Sequence, residues 1–146
     1  MVSYDVVALY PSIPQEEAIS VLYDKLVNDN DLIEKTKMTP DEVITLFKIC
    51  VSGTYFVFNK KLYIQVKGLA IGASTSGFVA DIFMEKIETG ALTTFINPPS
   101  LRCCFVDDTY VFIKELVEAA FEEHLNSQNT NLKFKKEIEK NKILVL

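Results

Sequence analysis

The chain has 146 residues, of which 49% are hydrophobic and 24% charged, and its 15 basic and 20 acidic side chains give a net charge of -5. This length is enough for a hydrophobic core, and the composition excludes a disordered chain. The sequence has neither a run of about 18 apolar residues nor a basic N-terminus followed by an apolar segment. It therefore predicts an intracellular protein that is not secreted and has no membrane partner.

A single arginine and the negative net charge argue against a free-standing nucleic-acid-binding protein, because binding phosphates requires many basic side chains. Lysines are nevertheless concentrated in two clusters, one with Lys60, Lys61 and Lys67 and the other with Lys133, Lys135, Lys136, Lys140 and Lys142. Both clusters also fit solvated faces or strand edges protected by lysine. Any role in nucleic-acid binding is therefore expected to be local.

The first predicted element is a β-branched apolar strand over residues 2–9, which contains one acid, Asp5. Capping boxes at residues 12–15 and 39–42 predict the starts of two helices. Residues 54–58 and 62–65 predict a β-hairpin with a short polar connection. Its aromatic side chains would stack on bases if the sheet were exposed, but packing in a core is the simpler interpretation.

A glycine- and hydroxyl-rich turn over residues 68–76 leads into a helix with a broad apolar face. Two strands follow over residues 101–105 and 110–113, joined by a turn that contains Asp107 and Asp108. A further helix and two terminal strands, over residues 131–138 and 143–146, complete the chain. This order of elements predicts an α+β fold in which helices back an antiparallel sheet.

Carboxylates interrupt otherwise apolar strands at Asp5, Asp107 and Asp108. Burying unpaired carboxylates is costly, and a bound divalent cation is the simplest compensation in a chain with one arginine. If the first strand lies beside the turn, the carboxylates would meet and could hold two metal ions about 4 Å apart. Ordinary turn residues with capping roles are the alternative.

Three segments, in this order, resemble the catalytic motifs of reverse transcriptases. Residues 4–10 (Tyr-Asp-Val-Val-Ala-Leu-Tyr) resemble motif A, residues 68–85 motif B, and residues 105–108 (Phe-Val-Asp-Asp) motif C. The details look most like the Penelope-like retroelements. The resemblance implies that residues 1–146 form the palm domain of an RNA-directed DNA polymerase, with a ferredoxin-like antiparallel sheet. It also implies truncation at both ends, so that the fingers and thumb are absent.

By this resemblance, Asp5 and Asp107 would be the principal catalytic ligands of two Mg²⁺ ions, with Asp108 in a supporting role and the backbone of Val6 as a further ligand. Tyr10 would be a steric gate that excludes the 2′-hydroxyl of ribonucleotides. The remaining implied substrate contacts are the backbone groups of Val6, Val7, Ala8 and Leu9, and the residues Gln65, Gly68 and Gly72. Taken alone, Tyr10 also fits a core tyrosine, and Gly68 and Gly72 fit an ordinary turn before a helix. Gln65 also fits a residue that only solvates the hairpin.

The implied reaction is the templated addition of deoxynucleotides to a primer 3′-end. Its partners would be an RNA template, a DNA primer and deoxynucleoside triphosphates, and the family permits a nuclear location. The isolated fragment is expected to be inactive, because the domains that position the substrates are missing. The alternatives are RNA-templated RNA synthesis and a non-catalytic retroelement remnant or acidic interaction module.

Overall fold

A computed structural model describes residues 2–105 and 108–137. The helices are α1 (Leu9–Ser12), α2 (Gln15–Val27), α3 (Leu32–Lys35), α4 (Pro40–Ser52), α5 (Ser74–Thr94) and α6 (Glu115–Ser127). The strands are β1 (Val2–Val6), β2 (Tyr55–Phe58), β3 (Lys61–Ile64), β4 (Leu101–Phe105), β5 (Asp108–Phe112) and β6 (Phe134–Glu137). The predicted α+β class with antiparallel sheets is confirmed.

The chain folds as two compact units. The first, here called the sheet unit, comprises the described residues of Met1–Leu9 and Met84–Leu146, and the second, the hairpin unit, comprises Tyr10–Phe83. None of the helices in the described part of the chain is both long and apolar enough to cross a membrane. The predicted strand over residues 143–146, like Lys140 and Lys142, lies outside the described residues.

The sheet unit contains a four-stranded antiparallel sheet with the strand order β4-β5-β1-β6. Side chains alternate between the faces of a strand, and one face of β1 carries Tyr4 and Val6, both buried. This face is covered by α6, in which the ring of Phe121 lies 6.1 Å from that of Tyr4. The strand predicted over residues 2–9 ends at Val6, because Ala8 adopts a φ of 50° and Leu9 begins α1.

The hairpin unit confirms one of the two predicted capping boxes. At the start of α4, the Thr39 hydroxyl accepts a hydrogen bond from the Glu42 amide at 3.3 Å, and the Glu42 carboxylate accepts one from the Thr39 amide at 2.8 Å. The bonds from Thr39 lower the pKa of the Glu42 carboxyl. The box predicted at residues 12–15 is wrong: Ser12 belongs to α1, and the N-cap residue of α2 is Pro14, which makes no side-chain cap bond.

The predicted β-hairpin is confirmed, with β2 and β3 paired from Tyr55 opposite Ile64 to Phe58 opposite Lys61. Asn59 and Lys60 form its two-residue turn at φ values of 50° and 61°, the left-handed region that such turns require. The interpretation that its aromatic side chains pack in a core is wrong. The apolar side chains of both strands remain 42–69% exposed, because both faces of this two-stranded sheet are open in the described part of the chain.

Candidate catalytic site

Asp5 lies in β1, between β5 and β6. Its Cα pairs with that of Asp108 in β5 on one side and with that of Lys135 in β6 on the other. The Asp5 side chain is half-buried and lies on the sheet face opposite the buried Tyr4 and Val6, because neighbouring residues of a strand point to opposite faces. The first strand therefore lies beside the strand that follows the acidic segment, but that strand begins at Asp108, two residues before the predicted start at residue 110.

The Asp5 carboxylate forms no hydrogen bond or ion pair with any residue that the structure describes. Lys135 shares its face of the sheet but is exposed and makes no ion pair with it. On the same face, the hydroxyls of Ser3 and Tyr110 are buried and have no hydrogen-bond partner among the described residues. Hard divalent cations prefer carboxylate, carbonyl and water oxygens, so the Asp5 carboxylate is the group on this face that is suited to magnesium.

Asp107, the second predicted principal ligand, lies outside the described residues, and Asp108 is described by its backbone alone. Among the side chains that the structure does describe, no group of three or more carboxylate, histidine or cysteine residues could hold a metal ion. The complete set of three carboxylates is therefore still a prediction. The structure describes two parts of it, the Asp5 side chain and the register that joins β1 to β5.

The backbone after Asp5 was predicted to hold metal and triphosphate. Val6 is the last residue of β1 and pairs with Phe134, while the Val7 amide donates a hydrogen bond to the Lys133 carbonyl at 2.9 Å. The Val7 amide is therefore already engaged within the protein. Ala8 is exposed and left-handed, and the buried Leu9 follows it into α1. The role of these groups towards a nucleotide stays a prediction.

Tyr10 and Gly68, from segments that resemble motifs A and B, meet within the hairpin unit. The Leu69 amide donates to the Tyr10 carbonyl at 2.8 Å, and the Gln15 side-chain amide donates to the Gly68 carbonyl at 2.8 Å. Gly68 has a φ of 70°, and a Cβ there would lie 2.6 Å from the Cα and carbonyl oxygen of Pro11. Gly68 is therefore required for close contact between two backbone segments.

Two further predicted substrate residues differ in their surroundings. Gly72 is exposed, has a φ of 89° and has no atom within 4 Å of the position that a Cβ would occupy. The Gln65 side-chain amide donates to the Lys67 carbonyl at 2.9 Å, and the Gln65 backbone amide donates to Thr54 at 2.9 Å. Gln65 therefore closes the base of the hairpin, whereas the loop at Gly72 is open, and the role of both residues towards a substrate stays a prediction.

One buried polar pair is not predicted by the sequence. The Thr109 hydroxyl donates to the carboxylate of Glu88, and both side chains are buried within the sheet unit. Thr109 directly follows Asp108 in β5, so this bond ties the start of that strand to α5. The signal in the sequence is the position of Glu88 on the apolar side of α5, four residues after Met84 and three before Ala91, both of which are buried.

Comparison of the chain with protein-family models, with curated proteins and with solved structures gives no match. The inference of function therefore rests on the residues themselves. The relevant features are the acid in β1, the acidic segment at the start of β5, and the contact between Tyr10 and the turn at Gly68.

Replacing Tyr4 by Phe is expected to remove a pH dependence of stability above pH 10. Burial, with a smaller contribution from Glu122, raises the pKa of Tyr4 from 10.0 to about 12. Between these values the unfolded chain loses this proton and the folded chain keeps it, so folding stability falls as the pH rises, by up to about 1.4 kcal/mol per pH unit. Urea unfolding of both proteins at pH 8, 10 and 11 measures the difference.

At neutral pH the same Tyr4→Phe variant should be as stable as the wild type or more stable by up to about 1 kcal/mol, because the buried hydroxyl has no hydrogen-bond partner among the described residues. The ring and its contact with Phe121 are kept. A large loss of stability at neutral pH would show that the hydroxyl has a partner. Parallel pH profiles for the two proteins would contradict the assigned cause of the pKa shift.

Proposed function

We propose that this chain is the catalytic palm domain of an RNA-directed DNA polymerase, with a ferredoxin-like sheet that carries the active site. The register that places Asp5 opposite the start of β5 carries this proposal. A polymerase palm needs one acid on a central strand and an acidic pair where the neighbouring strand begins. In this chain Asp5 lies on β1, and the sequence Asp107-Asp108 leads into β5.

The charge environment supports the same proposal. Asp5 is a half-buried carboxylate without a partner among the described residues, on a sheet face that also carries two unsatisfied hydroxyls. A structural carboxylate in a strand would be expected to have a basic or hydrogen-bonding partner, because burial of an unpaired charge is unfavourable. A site that binds a divalent cation accounts for this arrangement.

The chain's own residues would then perform distinct tasks. Asp5, Asp107 and Asp108 would supply carboxylate oxygens, and Val6 a backbone carbonyl. Two magnesium ions bound there would activate the primer 3′-hydroxyl and stabilise the pyrophosphate leaving group. Tyr10 would select deoxynucleotides by filling the space that a 2′-hydroxyl requires. Positioning dominates phosphoryl transfer, so the rate depends on how rigidly these groups are held.

Primer extension tests the proposal. A polypeptide that extends this chain at both ends should add deoxynucleotides to a DNA primer on an RNA template when magnesium is present. Chelation of the metal should stop the reaction, and Asp107→Asn should abolish it. Undiminished incorporation by the Asp107→Asn protein would refute the assignment of Asp107 as a ligand, and absence of incorporation by the unaltered polypeptide would count against the function itself.

The steric gate separates DNA synthesis from the alternative of RNA-templated RNA synthesis. Tyr10→Ala is expected to raise ribonucleotide incorporation relative to deoxynucleotide incorporation by roughly 10- to 100-fold, because it removes the ring that excludes the 2′-hydroxyl. The readout is the ratio of kcat/KM for the two nucleotides. Tyr10→Phe serves as the control, because it keeps the ring of this half-buried residue and should keep the selectivity.

A natural preference for ribonucleotides in the unaltered polypeptide would favour the RNA-polymerase alternative. If Tyr10→Ala left the selectivity unchanged while Tyr10→Phe behaved as the wild type, Tyr10 would not be the gate. The structure would then assign residue 10 a structural role only, through its backbone carbonyl, which accepts the hydrogen bond from the Leu69 amide.

A further inference from the structure

The hairpin formed by β2 and β3 lies in a part of the chain with an unusual charge balance. No acidic residue occurs between Glu42 and Asp81, although the chain as a whole has a net charge of -5. The basic residues of this acid-free segment are Lys48, Lys60, Lys61 and Lys67. All of them are exposed, and Lys60 and Lys61 lie at the hairpin tip. The local charge is therefore positive and suits a polyanion.

The two faces of the hairpin differ in chemistry. Residues directly opposite each other share a face, so one face, here called the aromatic face, carries Phe56, Phe58, Lys61 and Tyr63. The other face, here called the aliphatic face, carries Tyr55, Val57, Leu62 and Ile64. Three rings and a lysine are thus combined on one side of a two-stranded sheet.

The three rings of the aromatic face form a continuous group. The Phe56 and Tyr63 rings are stacked, with centroids 5.5 Å apart and planes inclined by 18°, and the Phe58 ring lies 6.5 Å from Tyr63. Their exposed fractions are 48%, 42% and 61% for Phe56, Tyr63 and Phe58. Ring faces held open to solvent beside lysines match the two parts of a single strand, since bases stack on rings and phosphates pair with ammonium groups.

We propose that the aromatic face, together with Lys60, Lys61 and Lys67, binds single-stranded nucleic acid. Bases stack on Phe56, Phe58 and Tyr63, and the lysines contact phosphates. Recognition through ring faces and phosphates tolerates any base sequence, and it favours single strands over duplexes because paired bases are not available for stacking. This binding surface consists of residues that the proposed active site does not use and requires no metal ion, so it goes beyond the polymerase function.

Fluorescence anisotropy with labelled strands of about 12 nucleotides, a length within the range of site sizes of single-strand-binding surfaces, tests the proposal. The probes are oligo(rA), oligo(dA) and a duplex of the same length, all with EDTA and without nucleoside triphosphates. We expect both single strands to bind more tightly than the duplex. A difference between the RNA and DNA arms identifies the preferred strand.

Matched variants separate the two faces. Phe58→Ile and Tyr63→Ile should each weaken single-strand binding by about tenfold, since each removes one stacking surface and keeps an apolar, β-branched residue. Tyr55→Ile makes the same kind of change on the aliphatic face and should leave binding within about twofold of the wild type. Phe58→Tyr keeps the ring and should retain binding, and circular dichroism checks that each variant is folded.

Salt dependence tests the lysines. In a double variant, Lys60→Gln with Lys61→Gln, the slope of log K against log salt should become less steep by about 1 to 2, because up to two phosphate contacts are lost. The control is Lys37→Gln, an exposed lysine outside the acid-free segment, which should leave the slope unchanged.

Three outcomes would overturn the proposal. The first is no binding of either single strand at low salt, and the second is an equal loss in the Tyr55→Ile and Tyr63→Ile proteins. The third is that Phe58→Ile and Tyr63→Ile reduce self-association of the chain in sedimentation but leave strand binding unchanged. The aromatic face would then be a protein interface. Because these assays contain neither metal nor triphosphate, their failure leaves primer extension as a separate test of the polymerase proposal.

Discussion

Asp5→Asn is expected to lower magnesium-dependent deoxynucleotide incorporation by about a thousandfold or more. A bound metal ion stabilises the transition state by several kcal/mol, and loss of a ligand reduces this stabilisation. Each loss of about 1.4 kcal/mol lowers the rate about tenfold. The change replaces one carboxylate oxygen by an NH2 group, removes the negative charge and preserves the shape of the side chain. The measurement is single-turnover primer extension by a polypeptide that carries this chain with flanking segments.

The fold should tolerate this substitution. The Asp5 carboxylate makes no hydrogen bond or ion pair with the described residues, so its neutralisation breaks no observed interaction. Asp24→Asn, at an exposed position of α2, provides the matched control and should retain full activity. Manganese binding by the chain itself, followed by electron paramagnetic resonance, should weaken in Asp5→Asn and stay unchanged in Asp24→Asn. Incorporation within about threefold of the wild type would exclude Asp5 as a principal ligand.

Gly68→Ala is expected to reduce the free energy of unfolding by about 2–4 kcal/mol. One part of the loss is backbone strain, because the φ of 70° at Gly68 is unfavourable for any residue with a Cβ. The larger part is the approach of that Cβ to within 2.6 Å of the Pro11 backbone, which no side-chain rotation can relieve. Urea unfolding measures the change.

Two other glycines serve as controls for these two causes. Gly72→Ala, at a φ of 89° with nothing near its Cβ position, carries the strain alone and should cost about 1 kcal/mol. Gly77→Ala lies within α5 with open space around it and should stabilise the protein by up to about 1 kcal/mol. Equal losses for Gly68→Ala and Gly72→Ala would contradict the close approach of Gly68 to Pro11.

Gly68→Ala should also affect the candidate site. The carbonyl of Gly68 accepts the bond from Gln15, and the next amide, that of Leu69, donates to the Tyr10 carbonyl. Displacement of residue 68 would disturb both bonds and with them the position of Tyr10. We therefore expect reduced selectivity against ribonucleotides in any Gly68→Ala protein that remains folded.

Local signals in the sequence were sufficient for several elements. The capping box at Thr39 and Glu42 predicts the start of α4 because both of its hydrogen bonds join residues three positions apart. The hairpin is also predicted locally, by two aromatic, β-branched segments around the polar residues 59–61, although the turn itself is only the two residues Asn59 and Lys60. The box predicted at residues 12–15 failed because a second, short helix ends there, and the Gln15 side chain bonds instead to Gly68, 53 residues away.

The sequence by itself determined the α+β class, the hairpin and the acid within β1, because these depend on residue pattern and on hydrogen bonds between near neighbours. Only the tertiary structure decided that Asp5 lies opposite Asp108, that Gly68 packs on Pro11 and that the hairpin's aromatic rings face solvent. These features depend on which distant segments meet. An apolar strand has the same residue pattern whether another layer covers it or not, so its exposure is settled by packing.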